Sequence, residues 1–227
     1  HAYDLSHNPG VSGMLGIFRA LPILCFAAFG GVLADSLDRR RTVIKTKILF
    51  TAISALLAVL TLTGRISIPW IYGLMALSAL TNSLDNPAQR ALVFGLLPKA
   101  ILPQAISFNL MTFQFACILG PALAGLLYAA KGPAWVYGAD AFSFLFVIVA
   151  LVRLHFRPVR PPKAKPGLKA LKEGLGFLMA RPILWNFMII DFVATLSASL
   201  QYQIPFFAND ILHAGPRGSG LLNSAIA

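Results

Sequence analysis

Three charged residues stand deep inside long apolar stretches: Arg19, Asp140 and Asp191. In hydrocarbon such a charge costs at least about 2.5–3.5 kcal/mol unless it is paired or hydrated, so each points to a partner or a task. Arg19 lies eight residues from one end of its stretch and Asp140 seven from the end of its own, which at 1.5 Å per residue places them about 12 and about 10 Å deep. Matching depths make an Arg19–Asp140 ion pair feasible; the alternative is that Arg19 lines a cavity and binds an anion. Asp191 lies about 12 Å from the opposite side. A carboxyl at that depth can shuttle a proton, and structural pairing or a water pocket would account for it equally. Asn109 and Gln114 sit in another apolar stretch, where interhelical hydrogen bonds are the plain expectation.

A second group of charges gathers between apolar stretches. Asp35 and Asp38 precede Arg39, Arg40 and Arg41, and Asp85 is followed by Arg90. Signs that alternate at neighbouring helix ends predict a charge network of Asp35, Arg39, Arg40, Asp85 and Arg90. The plainer alternative is basic charge that merely marks a helix end. Cys25 and Cys117 both fall inside apolar runs, which suits small core residues rather than a disulfide or a metal site. No Walker A loop is present, and neither a metal nor a cofactor is expected.

These residues must be positioned by elements that cross a bilayer. Of 227 residues, 57% are apolar and only 12% charged, against about 45–50% and roughly 25% in soluble domains. Mean hydropathy is +0.74. Ordinary soluble enzymes and disordered chains are excluded. A spanning helix needs about 20 apolar residues, and six runs qualify: 11–34, 42–62, 66–84, 105–129, 133–152 and 183–203. A seventh opens at Leu221 and stops at Ala227. Lipid offers no partners for backbone groups, so the fold class is all-α, a polytopic transmembrane helical bundle.

The joints fit this pattern. Arg65-Ile66-Ser67 and Lys131-Gly132-Pro133 are tight connections, and Asn86-Pro87 is expected to break the third run. Residues 153–166 are rich in Arg, Lys and Pro and favour extended chain. Leu168, Leu171, Leu175 and Leu178 then recur at helical spacing beside Lys169, Lys172 and Arg181, the pattern of an amphipathic surface helix. The domains expected are residues 1–152, one bundle; 153–182, a cytosolic loop with that helix; and 183–227, the start of a second bundle.

Alternate loops differ sharply in charge. One set carries fifteen of the 19 Lys and Arg residues, the other carries Arg65, Lys131 and Arg217, and Arg19 lies within the membrane. The positive-inside rule makes the first set cytosolic. The net charge of +11 is then mostly a topological label, with some attraction of residues 153–172 to anionic lipid, and nucleic acid is not an expected partner. The first run goes from outside to inside, so a chain beginning in the cytosol needs one more span before His1. The expectation is a piece of a larger transporter-like protein.

The stretch Gly30-Gly31-Val32-Leu33-Ala34-Asp35-Ser36-Leu37-Asp38-Arg39-Arg40-Arg41 resembles the loop signature of the major facilitator superfamily, G-x-L-A-D-[RK]-x-G-[RK]-[RK]. Gly31, Leu33, Ala34, Asp35, Arg39 and Arg40 match; Ser36 stands for a usual basic residue and Asp38 for a usual Gly. Asp tolerates a left-handed turn better than most residues. Asp85-Asn86-Pro87-Ala88-Gln89-Arg90 looks like the helix 4–5 junction of the enterobactin-exporter-like efflux branch. Leu119-Gly120-Pro121-Ala122-Leu123-Ala124-Gly125 is similar to the fifth-helix motif G-P-x-x-G-G, with Ala124 for a Gly.

The resemblance implies that the runs are helices 2–7 and the start of 8. It also implies alternating access, two bundles rocking about a central site, and efflux of a small molecule such as a siderophore or drug by proton antiport. Under it Arg19, Asp140, Asp191, Asn109 and Gln114 become candidates for the substrate or proton pathway, Arg19 facing an anionic or catecholate-type cargo. Gly31, Gly120, Pro121 and Gly125 become the helix-interface motif, and the charge network an inner gate. The partners implied are the substrate, protons and the bilayer of a bacterial inner membrane, with the protein a multi-pass monomer. An uncoupled facilitator and a non-transporting scaffold or receptor are the alternatives. An intramembrane aspartyl protease would need Asp140 and Asp191 face to face, but they sit near opposite sides and the G-x-G-D element is missing.

Overall fold

The computed structural model describes residues 1–8, 10–22, 38–153, 176, 179, 181–197 and 203–226. Every regular element among them is helical. We label them α1 (Ala2–Ser6), α2 (10–22), α3 (Arg39–Leu62), α4 (Ile68–Leu96), α5 (Leu102–Lys131), α6 (Pro133–Arg153), α7 (Pro182–Ser197) and α8 (Gly215–Ile226). A short turn of helix at Ile204–Phe206 runs into a π turn at Phe207–Ile211. Most of the 153–182 stretch, including the leucine-patterned segment, lies outside the described residues.

Local chemistry sets the helix ends. Asp38 caps α3: its Oδ1 accepts from the backbone N–H groups of Arg40 and Arg41 at 3.1 and 3.2 Å, satisfying donors that a helix start leaves open. The turn after α3 uses Gly64 at φ +66, a left-handed conformation that costs glycine little. α4 and α5 carry proline in their first turns, where its missing N–H is harmless. Only Gly132, at φ +85, separates α5 from α6, so these helices turn back on each other as expected.

The third run differs from expectation. Asn86-Pro87 does not end it; α4 continues through Pro87 to Leu96. Past the proline, Ala88 and Leu92 are buried against Val43 of α3, with Leu151 of α6 packed on the cluster. Burial of those side chains outweighs one lost backbone bond, which membrane helices tolerate. The seventh run also begins earlier than Leu221, at Gly215.

α3 packs against α4 and α6, while α5 packs against α6 and α8. Tyr72 of α4 stacks on Phe18 with ring centroids 4.6 Å apart and donates to the Val11 carbonyl at 2.8 Å, which fastens α2. Three described helices, α3, α5 and α6, are long and apolar enough to cross a membrane. α5 and α6 expose Phe108, Phe113, Phe115, Phe142 and Phe146. A soluble monomer rarely exposes so much contiguous apolar surface, whereas lipid covers it at no cost.

Candidate functional site

At the end where α3 begins and α6 finishes, polar groups converge inside an apolar bundle. Asp85 of α4 and Lys47 of α3 are both buried, and their charged atoms lie 2.6 Å apart. Thr46 Oγ1 donates to the other Asp85 oxygen at 2.5 Å and lies 2.8 Å from the Val43 carbonyl. The Lys47 ammonium also sits 5.5 and 5.7 Å from the ring centres of Phe50 and Phe144. Those rings stack at 5.2 Å and offer the cation their negative faces. A carboxylate and two aromatic faces thus replace water around the ammonium, and the Thr46 hydroxyl does so for the carboxylate, as a buried ion pair requires.

The arginines serve the helix ends. Arg39 donates to the Ala91 carbonyl of α4 at 3.2 Å. Arg40 donates to the Leu151 carbonyl at 3.0 and 3.3 Å and to that of Val152 at 2.9 Å, the acceptors that α6 leaves open at its C-terminus. Asp85 therefore pairs with Lys47 and not with an arginine. Arg90 is exposed on α4. Asp35 and Gly31 lie outside the described residues.

Arg40→Gln is expected to destabilise the protein by about 1–2 kcal/mol, and Arg40→Lys to restore only part of that because an ammonium cannot fork across two carbonyls. Unfolding midpoints in detergent test this; equal midpoints for Arg and Lys would contradict it.

Lys47 is the residue that sequence reasoning misses. With Lys45 it lies in the first turns of α3, where snorkelling is the natural expectation. Lys45 is exposed, but Lys47 is not. The available signal was register: Lys47 follows Val43 by one turn, and Asp85 precedes Ala88 by one turn, so each charge falls on its helix's buried stripe.

The intramembrane candidates are dispersed. Asp140 of α6 accepts from the Ser54 hydroxyl of α3 at 2.5 Å. The side-chain ion pairs among the described residues are Arg41–Asp38 and Lys47–Asp85, so Arg19 and Asp140 do not form one. Arg19 is exposed on α2, Asp191 on α7, and Asn109 and Gln114 on α5. Among the described residues no group of three His, Cys, Asp or Glu side chains could hold a metal ion.

The proline-glycine motif of α5 meets α8. A Cβ on Gly125 would lie 2.8 Å from the Pro216 carbonyl oxygen and 2.9 Å from Gly220 Cα; one on Gly220 would lie 2.6 Å from the Pro121 oxygen. The two backbones touch there because both residues lack side chains. Gly120 faces open space. Two cavities accompany these features. One of about 470 Å³ lies between α3 and α4, lined by Asp38, Arg41, Lys45 and leucines. One of about 240 Å³ lies between α5 and α8, lined by Asp4, Tyr128, Asn209, Ser219 and Asn223.

Lipid-compatible outer surfaces, spanning helices and a fully partnered ion pair inside them define a polytopic helical membrane protein. The chain belongs to the transmembrane secretion effector family of the major facilitator transporters, whose family model matches residues 2–227. It is 27% identical over 160 residues to the staphyloferrin A transporter of Staphylococcus aureus, covering 69% of this chain and 40% of that protein. It is 30% identical over 188 residues to the uncharacterized MFS-type transporter YfiS of Bacillus subtilis, covering 81% and 44%. It is 26% identical over 181 residues to the enterobactin exporter EntS of Escherichia coli O1:K1, covering 80% and 44%. The chain thus spans less than half the length of these relatives. No solved structure matches it significantly.

Proposed function

We propose that the protein of which this chain forms part is a secondary active transporter that exports a small molecule by alternating access, coupled to proton entry, as a monomer in a bacterial inner membrane. The observation that carries this is the family match along residues 2–227, together with relatives named for staphyloferrin A transport and enterobactin export. The cargo class we infer from those names is a siderophore. Residues 1–152 form the N-terminal bundle, 153–182 the cytosolic linker, and 183–227 the opening of the C-terminal bundle.

The Lys47–Asp85 pair and the Arg39 and Arg40 contacts join the inner ends of α3, α4 and α6. That arrangement suits a unit that rocks as one body, on which Asp35 and Arg90 complete an inner gate. Arg19, Asp140, Asn109 and Gln114 line the cargo or proton route, with Arg19 suited to an anionic cargo and Asp191 to carrying the proton.

The test is efflux from cells expressing the full-length protein. Siderophore retention should fall relative to cells without it, and a protonophore should abolish the difference. Efflux that ignores the protonophore would remove proton coupling and leave an uncoupled facilitator. Asp35→Asn should cut efflux while leaving the protein in the membrane; normal efflux would reject the gate.

A further inference from the structure

We propose that α1 is a clasp that holds the two bundles together at the end opposite the Lys47–Asp85 pair, with Tyr3 and Asp210 as its latch. The inference rests on the alternating-access reading above, and on the charge count that makes this end the outer one.

α1 and the residue before it are gripped on both sides. Asp4 accepts a hydrogen bond from Tyr128 near the end of α5, and His1 Nδ1 lies 3.2 Å from the Tyr137 hydroxyl of α6. These contacts anchor α1 to the first bundle. Tyr3 reaches the other way: its hydroxyl donates to Asp210, in the π turn that leads into α8. The Tyr3 ring meets Phe206 edge-on at 6.4 Å.

Burial follows the same line. Ala2, Tyr3, Ile204 and Ala208 are all buried, Ala208 completely, which shields the Tyr3 side of the bond, while Asp210 is exposed. The Asp210 carboxylate that Tyr3 bonds, aided by burial, holds the phenol up at about 12, so Tyr3 remains a donor at physiological pH.

Beneath α1 lies the 240 Å³ cavity between α5 and α8, and its wall includes Gly125 and Gly220, where those helices touch. A bond that joins Tyr3 to Asp210 therefore spans the seam that must open if cargo leaves on this side. Neither residue belongs to the inner charge cluster.

The experiment uses full-length protein lacking native cysteines (Cys25→Ser and Cys117→Ser in this segment) and carrying Ser219→Cys in the cavity wall. A membrane-impermeant maleimide is added outside intact cells. A hydrogen bond to a charged group shifts an open–closed equilibrium about tenfold. Tyr3→Phe and Asp210→Ala should each raise the labelling rate of Ser219→Cys by about that factor, and the double variant should label no faster than the faster single one. Unchanged rates in both single variants, or rate increases that multiply in the double variant, would overturn the clasp. Siderophore efflux is measured in parallel with the unlabelled parent. Efflux without a labelling response rejects the clasp alone; a labelling response without protein-dependent efflux rejects the transport reading alone.

Discussion

Asp85→Asn is expected to destabilise the protein by about 3–5 kcal/mol, because it strands the Lys47 ammonium where water cannot reach it. Both residues are nearly inaccessible, at 8% and 3% exposure, and the two rings near the ammonium cannot replace a carboxylate 2.6 Å away. The amide of Asn can still accept from Thr46 Oγ1, so the loss reports the missing charge. Lys47→Met combined with Asp85→Leu removes both charges at similar volume, and such exchanges are often neutral or stabilising. The double variant should unfold close to the parent temperature in detergent, well above Asp85→Asn. A single variant as stable as the parent would contradict the burial of the pair. The double variant also separates two roles: restored stability with lost efflux assigns the pair to the transport cycle, and restoration of both assigns it to holding the bundle.

Gly220→Ala is expected to be strongly damaging for the addition of a single methyl. Its Cβ would lie 2.6 Å from the Pro121 oxygen and 3.0 Å from Gly125 Cα. Both neighbours are backbone, which cannot rotate aside, so α5 and α8 must separate. Overpacking of this kind costs about 1–3 kcal/mol, and it acts on the seam that alternating access would open and close. Gly125→Ala meets Gly220 Cα at 2.9 Å and should behave alike. Gly120→Ala is the control: nothing lies within 4 Å of its added carbon, and Ala favours a helix over Gly by up to about 1 kcal/mol. Unfolding midpoints and efflux rates of the three variants test this ordering. Equal behaviour of Gly120→Ala and Gly220→Ala would show that the helices do not touch where they are placed.

Much of the fold was legible because lipid imposes a severe rule. A backbone in hydrocarbon must satisfy itself, so apolar runs near 20 residues can only be helices. α3, α5 and α6 accordingly lie within three residues of their expected ends. The loop signature carried the family through the match of Gly31, Leu33, Ala34, Asp35, Arg39 and Arg40 to a specific pattern of residue types.

What the chain read in one dimension did not decide was which neighbour each residue meets. Pro87 looks like a helix breaker until Ala88 and Leu92 are seen buried against Val43. Gly120 and Gly125 belong to one motif, yet only Gly125 meets another backbone. Lys47 looks like a snorkelling lysine, and Asp140 like a partner for Arg19, until Asp85 and Ser54 are found beside them.

The amino-acid sequence alone determined that the chain is helical, spans a membrane and carries the family's loop signature, because composition, run length and charge asymmetry are properties of the chain read in one dimension. Only the tertiary structure decided which charges are paired, which glycines touch and that α1 reaches across to Asp210. Those outcomes depend on the rotation of each helix about its own axis, and that rotation is set by the packing of all the helices together.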